Sequence, residues 1–353
     1  MNIKYMKRAL ILAKKGVGKV FPNPMVGAVL VRGGRIVGEG YHQYFGGLHA
    51  EVNAIASAGG RARGADLYVS LEPCDHYGKT PPCTKAIIAA GIKKVYTAMS
   101  DPNPLVAGKG IVKLRKNGLK VYQGYMEQEA KALNRDYLHY ITRNRPYVIC
   151  KWAMSADGKL ATKTGDSKWI SNQLSLKFAH KLRNQVDAVV VGINTVLKDD
   201  PRLTVRLLKA AKNPTRIVMD SRLQIPIKAK ILNNEAKTII VCGKGADTSK
   251  AKKLMKMGVE VWQVKDLHEL MRRLAGRGLA RILVEGGGQT HAGFIEAGLV
   301  DKIVAIIAPL IIGGRQAVTP VAGNGVKRIK DALKFTRVKF TTLEDNVVME
   351  GEI

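Results

Sequence analysis

Short β-branched runs alternate with amphipathic segments along the chain of 353 residues. In the first part of the sequence, strands are predicted at residues 25–31, 35–40, 67–71 and 95–99, and helices at 49–58, 83–90, 108–117 and 127–140. The glycine pair at 33–34 is expected to join the first two strands as a hairpin. This alternation predicts an α/β sheet with helices packed on its faces.

A polar segment at residues 142–146 separates this region from a second alternating region. It ends in Pro146, which disfavours continuation of the preceding helix, so the domain boundary is predicted near residue 145. Beyond it, strands are predicted at residues 147–153, 188–192, 216–220, 238–242, 259–264, 282–285 and 303–308. We therefore expect two α/β domains, 1–145 and 146–353, as suits a chain of this length.

Composition narrows the class of protein. Apolar residues make up 46% and charged residues 24% of the chain, which is typical of a globular protein rather than a disordered or coiled-coil one. The longest apolar run, 303–312, is too short to span a bilayer, and the apolar patch at 9–13 is too short for a secretory signal. We expect a soluble, cytoplasmic protein.

The charge is unusual, because 58 Lys and Arg residues face only 28 Asp and Glu residues, a net charge of +30. The surplus is spread over both halves, without the block of like charges that marks a nucleic-acid-binding arm. A generally basic solvated surface is the simplest interpretation. An anionic partner, either a phosphorylated small molecule or nucleic acid, is the alternative.

The four cysteines divide into two kinds. Cys150 and Cys242 lie in apolar runs and are expected in the core. Cys74 follows a predicted strand, whereas His49 and Cys83 each begin a predicted helix. One histidine and two cysteines leave one position of a tetrahedral zinc site open, which is the arrangement of catalytic zinc.

Glu51 follows His49 by two residues, so the two side chains do not share one helix face. Glu51 can therefore approach a zinc-bound water without ligating the metal. Zinc would lower the pKa of that water, and the hydroxide would attack a ring carbon bearing an amine while Glu51 passes a proton to the leaving nitrogen. The signature of zinc nucleobase deaminases is present, with an insertion at residues 75–82 between the cysteines. Taken singly, these residues could be ordinary helix-cap or core residues. Their combination favours the interpretation as a zinc site.

Five segments resemble a known family: PNPMVG at 22–27, GYH at 40–42, HAEV at 49–52, LEPCDHYGKTPPC at 71–83 and DPNP at 101–104. Through them the sequence closely resembles the bifunctional riboflavin-biosynthesis deaminase/reductase family, whose members share the insertion. The resemblance extends over essentially the whole chain. It implies a cytidine-deaminase-like zinc domain followed by a dihydrofolate-reductase-like domain.

For the first domain, the resemblance implies hydrolytic deamination of 2,5-diamino-6-(5-phosphoribosylamino)pyrimidin-4-one. The implied substrate contacts are Asn23, His42, His76 and Lys79. Lys79 would supply a cation for the phosphate, and the other three would supply hydrogen bonds for the pyrimidine. The alternative for Lys79 is an ordinary solvated charge on a loop.

In the second half, the segment EGGGQT at 285–290 lies between a predicted strand and a predicted helix. Glycines at such a turn let backbone N–H groups approach a pyrophosphate. The third glycine of the dinucleotide fingerprint is missing, so a plain tight turn is equally consistent with the residues alone. The segments 151–158, 165–170 and 192–206 resemble the reductase half of the family.

That resemblance implies NADPH-dependent reduction of the ribosyl group, which gives 5-amino-6-(5-phosphoribitylamino)uracil. The implied cofactor contacts are Ala153, Trp169, Thr195, Asp199, Ser221, Gly287, Gly288, Gln289, Thr290, His291, Ala292 and Gly293. The implied contacts to the sugar phosphate are Ser167, Arg183, Leu203, Arg206 and Glu285. The two arginines can bind phosphate bidentately. Trp169 could instead be a core residue, and 199–201 or 157–158 only turns.

A nucleic-acid-editing zinc deaminase with an accessory second domain is the rival hypothesis, since both the charge and the zinc motif would suit it. The insertion at 75–82 and the reductase-like second half argue against it. A chain with one degenerate domain ranks third, because no expected zinc ligand or general base is missing. We expect one Zn²⁺ per chain, NADPH, a phosphorylated pyrimidine substrate, a homo-oligomer, and neither a membrane nor a nucleic-acid partner.

Overall fold

The computed structural model describes residues 3–209 and 212–353. The chain divides into two compact units, Met1–Arg145 and Pro146–Ile353. Within the described residues, no helix is both long enough and apolar enough to cross a membrane. Short 3-10 helices lie at Lys14–Gly16, Gly59–Ala62, Lys230–Leu232 and Ile329–Asp331.

The first unit is a five-stranded sheet with helices on both faces. Its elements are α1 (Ile3–Ala13), β1 (Gly27–Arg32), β2 (Arg35–Tyr41), α2 (Ala50–Ala58), β3 (Asp66–Val69), α3 (Cys83–Ala89), β4 (Lys94–Thr97), α4 (Lys109–Lys116), β5 (Lys120–Tyr122), α5 (Glu127–Leu133) and α6 (Arg135–Arg143). The strand order is β2-β1-β3-β4-β5. β1 pairs antiparallel with β2 and β3, whereas β3, β4 and β5 are parallel.

Residues that alternate along the strands of this sheet enter two different cores. Ala28 and Leu30 of β1 pack in the core that contains residues of α2, α3 and α4. Val29 and Val31, which point to the other face, pack in the core that contains residues of α1. Both faces of β1 are therefore covered, which is why its sequence is apolar at successive positions.

The predicted hairpin is confirmed, because β1 and β2 pair across the 33–34 turn and both glycines have positive φ angles of 56° and 75°. The single helix predicted at 127–140 is wrong, because the structure has α5 and α6 with a break at Asn134. The buried side chain of Asn134 donates to Met25 O at 2.9 Å and accepts from Met25 N at 2.7 Å. Asn134 adopts a non-helical backbone conformation (φ −104°, ψ 23°), which ends one helix and begins the next.

The second unit is a nine-stranded sheet. Its elements are β6 (Tyr147–Ser155), α7 (Gln173–Asn184), β7 (Ala188–Gly192), α8 (Ile193–Asp199), β8 (Thr215–Met219), β9 (Thr238–Cys242), α9 (Thr248–Lys256), β10 (Glu260–Gln263), α10 (Leu267–Gly276), β11 (Arg281–Val284), α11 (Gly288–Glu296), β12 (Lys302–Ala308), β13 (Arg337–Leu343) and β14 (Asn346–Glu352). The strand order is β10-β9-β8-β7-β11-β6-β12-β14-β13.

Seven neighbouring strands of this sheet, from β10 to β12, are parallel, and β14 and β13 extend it antiparallel. Hydrophobic cores cover both faces of the parallel part, and Cys150 and Cys242 lie buried in them as expected. The seven strands predicted beyond residue 145 are confirmed with small shifts at their ends. The final hairpin, β13 and β14, was not predicted. The α/β prediction is confirmed for both units.

Candidate functional site

Three side chains of the first unit form a candidate metal site. The Nδ1 atom of His49 lies 3.2 Å from Cys83 Sγ and 3.5 Å from Cys74 Sγ. The three donor atoms all lie within 4.8 Å of one another. Zinc bonds of ~2.0 Å to nitrogen and ~2.3 Å to sulfur, at a tetrahedral angle, place nitrogen and sulfur about 3.5 Å apart. The side chains therefore fit a tetrahedral zinc ion with one position left for another ligand.

The fold brings these ligands together from three separate segments. His49 is the N-cap residue of α2, Cys83 is the first residue of α3, and Cys74 follows β3. Two glycines of β2 allow α2 to lie close to the sheet. A Cβ atom at Gly40 would lie 2.3 Å from the backbone nitrogen of Ala54, so no larger residue fits at that position. The contact between α2 and β2 fixes the helix start that carries His49.

Glu51 lies in the first turn of α2 and is 3% exposed. It lines the same cavity as His49 and Cys74. Burial raises the pKa of Glu51 to about 7, although His49 acts in the opposite direction. A carboxyl group with this pKa can both accept and release a proton near neutral pH.

The cavity beside these residues has a volume of about 260 Å³. Four further predicted residues line it: Asn23, His42, His76 and Lys79. The Asn23 amide nitrogen lies 3.1 Å from His42 Nε2, and His42 Nδ1 lies 3.0 Å from Leu48 O. Because the Leu48 carbonyl only accepts, His42 donates from Nδ1 and accepts from Asn23 at Nε2. Burial lowers the pKa of His42, which keeps this neutral arrangement.

The other two residues present polar atoms at this cavity. His76 Nδ1 is buried and has no hydrogen-bond partner among the described residues. The Lys79 ammonium lies 3.9 Å from the centre of the Phe45 ring, which also lines the cavity. The structure thus brings seven of the eight predicted residues of the first unit to the lining of one cavity, and the eighth, Cys83, is fully buried beside His49.

Several residues that sequence reasoning did not select also line this cavity, among them Asp101, Asn103, Tyr137 and Tyr140. The Tyr137 hydroxyl donates to both carboxylate oxygens of Asp101, at 2.8 and 3.0 Å. Asn103 N also donates to Asp101 Oδ1 at 2.9 Å. The DPNP motif that follows β4 was a visible signal for Asp101 and Asn103. The tyrosines of α6 gave no signal, since only folding brings them to the cavity.

A second cavity, of about 720 Å³, lies in the second unit. It is lined by residues at the carboxyl ends of β7 and β8 and by the first residues of α8 and α11. Seven predicted residues line it: Ser167, Thr195, Asp199, Gly287, Gly288, Gln289 and Thr290. A Cβ at Gly286 would lie 2.6 Å from Thr290 Cβ, and one at Gly192 would lie 2.5 Å from Thr290 Oγ1. Glycine is therefore required where β7 and β11 meet α11, and the free N–H groups at this helix start suit a pyrophosphate.

Six residues predicted to contact the cofactor do not line this cavity: Ala153, Trp169, Ser221, His291, Ala292 and Gly293. His291 is fully buried, with Nδ1 2.9 Å from Pro320 O and Nε2 3.3 Å from Val284 O, so it braces α11. Trp169 is 70% exposed, so the alternative that it is a core residue is wrong. Trp169 lies in a turn, where its ring is open to solvent.

The residues predicted to hold the sugar phosphate include a buried ion pair. Arg183 donates to Glu285 through Nε at 2.9 Å and through Nη2 at 2.6 Å. Burial alone would raise the pKa of Glu285, but Arg183 and Lys151 outweigh it and lower this pKa to about 2. Lys151, which was not among the predicted site residues, lies half-buried beside this pair, and desolvation lowers its pKa.

Arg206 lies at the edge of the same charged cluster. Its backbone N–H donates to His180 Nδ1 at 3.0 Å, and its exposed side chain donates to Thr204 Oγ1 at 3.1 Å. Burial and the nearby Arg183 and Arg206 lower the pKa of His180 to about 4. The last predicted residue, Leu203, is buried in the core with a φ angle of 53°.

Family models match both halves of the sequence. The model of the RibD C-terminal domain matches residues 146–349, and that of the cytidine and deoxycytidylate deaminase zinc-binding region matches residues 1–99. The riboflavin biosynthesis protein RibD of Aquifex aeolicus (strain VF5) is 48% identical over 98% of this chain and 96% of its own length. The protein of the same name from Escherichia coli (strain K12) is 38% identical over 94% of each chain.

Two solved structures share the fold over the full length. A diaminohydroxyphosphoribosylaminopyrimidine deaminase/5-amino-6-(5-phosphoribosylamino)uracil reductase from Thermotoga maritima has 39% identity and a TM-score of 0.88, covering 99% of this chain and 98% of its own. Form 1 of Acinetobacter baumannii RibD has 34% identity and a TM-score of 0.91, with the same coverage. Both units of this chain are therefore similar to the units of these structures.

Proposed function

The chain belongs to the riboflavin biosynthesis protein RibD family of bifunctional deaminase/reductases, and from this premise we propose which residues carry each reaction. It is a zinc-binding deaminase and an NADPH-dependent reductase in one polypeptide. We assign the deaminase to residues 1–145 and the reductase to 146–353. The matches of the two family models, to 1–99 and 146–349, support this division.

The deaminase reaction removes an exocyclic amine from 2,5-diamino-6-(5-phosphoribosylamino)pyrimidin-4-one. His49, Cys74 and Cys83 would hold the zinc ion, which when bound makes water nucleophilic at neutral pH. Glu51 accepts a proton from the attacking water and delivers it to the departing amine nitrogen, and ammonia leaves. The juxtaposition of this carboxyl with the three metal ligands at one cavity is the observation that carries the assignment.

Four side chains of the cavity orient the substrate in this proposal. Asn23 and His76 offer polar atoms to the pyrimidine edge, and neutral His42, held by its bond to Leu48 O, fixes the direction of the Asn23 amide. Lys79 supplies the positive charge for the phosphate.

Glu51→Gln tests the deaminase assignment. The amide keeps the shape of the side chain but cannot accept the proton, so we expect loss of ammonia release by a factor of at least ~10² with zinc content unchanged. Reduction of the separately supplied deaminated substrate should proceed at the wild-type rate. Ammonia release near the wild-type rate in this variant would show that another group is the base.

The reductase reaction converts the ribosyl group into a ribityl group. NADPH, when bound, supplies the hydride for C1′ of the sugar. The 720 Å³ cavity suits this cofactor, because backbone N–H groups at the start of α11 face it and can bind the pyrophosphate. Of the two arginines, Arg206 is the more available phosphate ligand, since its exposed guanidinium donates to Thr204 Oγ1 through Nη1 alone, whereas both Nε and Nη2 of Arg183 are engaged by Glu285.

We also propose that the protein is a homo-oligomer and that it is located in the cytoplasm. A homo-oligomer is supported by the open edge of the nine-stranded sheet, where six of the seven residues of β13 are exposed, including Phe340 at 65%. A cytoplasmic location is supported by four free cysteines. Light scattering on the purified protein, and on Phe340→Lys, would test the assembly. A monomeric wild-type protein would contradict it.

A further inference from the structure

The loop that follows β2, residues 42–48, is held in place at the edge of the deaminase cavity. The backbone N–H of Phe45 donates to Lys19 O at 3.0 Å. At the end of the loop, Leu48 O lies 3.0 Å from His42 Nδ1. The ring of Phe45 therefore projects from a fixed backbone, and it forms part of the cavity lining.

Lys79 belongs to a different loop, residues 75–82, and meets the first loop across the cavity mouth. Its ammonium lies 3.9 Å from the centre of the Phe45 ring. The lysine stem runs close to Gly46, where an added Cβ would lie 3.3 Å from Lys79 Cδ. The face of an aromatic ring attracts a cation, so the ring holds the end of a side chain that is otherwise exposed and flexible.

We propose that Phe45 is a positioning residue for the deaminase, which holds the Lys79 ammonium where the substrate phosphate binds. The inference rests on the proposed role of Lys79 as the phosphate contact. An ammonium that is already in place loses less rotamer entropy when the phosphate arrives. Phe45 does not touch the reacting carbon in this proposal, so its loss weakens substrate binding without slowing the chemical step.

The expected change in substrate binding depends on how exposed the contact between Phe45 and Lys79 is. A cation–π contact at an exposed site corresponds to about a two- to fivefold change in binding. We expect Phe45→Leu to raise the deaminase KM for the phosphorylated diaminopyrimidine by this factor, with kcat unchanged. Phe45→Tyr, which keeps an aromatic face, should retain the wild-type KM.

Tyr77 offers a matched control on the same loop as Lys79. The Lys85 ammonium lies 4.8 Å from the centre of its ring, but Tyr77 does not line the cavity. The same ammonium donates to the Tyr77 hydroxyl at 2.6 Å. Tyr77→Leu therefore removes another contact between a lysine and an aromatic residue, one that faces elsewhere, and it should change neither KM nor kcat. Zinc content and the reductase rate, measured on each sample, show that the variants are folded.

Lys79→Gln separates the positioning role from direct contact with substrate. In the Lys79→Gln background, Phe45→Leu should raise KM no further, because the ring has no cation to hold. An equal increase in both backgrounds would mean that Phe45 touches the substrate itself, and this would overturn the proposal. So would an unchanged KM in Phe45→Leu alone.

The same experiment distinguishes failure of the underlying assignment. If Lys79→Gln by itself leaves KM unchanged, Lys79 is not the phosphate contact, and both the assignment and the positioning role are refuted. If Lys79→Gln raises KM but Phe45→Leu does not, only the positioning role is refuted. The dephosphorylated form of the substrate supplies the last check, since Phe45→Leu should leave its KM unchanged.

Discussion

Replacing Arg183 by alanine should destabilise the second unit strongly. The side chains of Arg183 and Glu285 are only 14% and 7% exposed, and two hydrogen bonds join them. Removing one partner of a buried pair leaves an uncompensated charge, which typically costs ~3–5 kcal/mol. The pKa of Glu285, lowered from 4.5 to about 2, corresponds to about 3 kcal/mol of stability at neutral pH, to which Arg183 contributes most and Lys151 the next largest part.

The three tryptophans provide an assay confined to this unit, because Trp152, Trp169 and Trp262 all lie beyond residue 145. Denaturant unfolding followed by tryptophan fluorescence should give a free energy of unfolding lower by about 3 kcal/mol in Arg183→Ala. In the double variant Arg183→Ala/Glu285→Gln the loss should be smaller than the sum of the two single losses, because each single change already removes the same interaction between Arg183 and Glu285.

The pH dependence of this difference has a defined sign. The pKa of Glu285 is lower in the folded protein than its ordinary value of 4.5, so the pair contributes its full stabilisation above about pH 4.5. This contribution is lost as the pH falls towards about 2. The wild-type advantage over Arg183→Ala should therefore shrink over that range. A loss below about 1 kcal/mol at pH 7, or strictly additive single losses, would refute the reasoning.

Three further outcomes are expected. Gly286→Ala should lower the thermal stability of the second unit, because the added Cβ would lie 2.6 Å from Thr290 Cβ. At Gly287 an added Cβ would meet nothing within 4 Å, so Gly287→Ala should keep the wild-type stability. A titration with NADPH should nevertheless show weaker cofactor binding in Gly287→Ala. Equal effects of the two variants on stability would contradict this. Asn134→Ala should cost the first unit about 2 kcal/mol in denaturant unfolding, because it removes two buried hydrogen bonds, and an unchanged midpoint would argue against that. Chelation of zinc should stop ammonia release but leave NADPH oxidation with deaminated substrate intact. Parallel loss of both activities would contradict the assignment of one reaction to each domain.

Much of the fold was predictable, because the parallel strands are buried on both faces and appear as continuous apolar runs. The final hairpin was not predicted, because its first strand is not buried in this way. β13 lies at the edge of the sheet and six of its seven residues are exposed, so its sequence lacks the continuous apolar run of the buried parallel strands. The break between α5 and α6 was missed because Asn134 is stabilised by Met25, more than a hundred positions earlier, and helix propensity describes only local preferences.

The zinc ligands were predictable because their residue types and short spacings are themselves constrained by the chemistry. The other residues that surround the two sites were not predictable. Tyr137 reaches Asp101 from a helix 36 positions away, and Lys151 approaches Glu285 through the packing of two neighbouring strands. Such contacts depend on the tertiary fold, and a single sequence contains no local signal for them.

The helix α6 has a consequence for how this chain can be divided. Its tyrosines, Tyr137 and Tyr140, form a wall of the deaminase cavity, although the zinc-binding family model ends at residue 99. The helix ends at Arg143, and β6 begins at Tyr147, so only residues 144–146 separate the two catalytic modules. A fragment that keeps a working deaminase must therefore extend through α6, because a shorter one loses a wall of the substrate cavity.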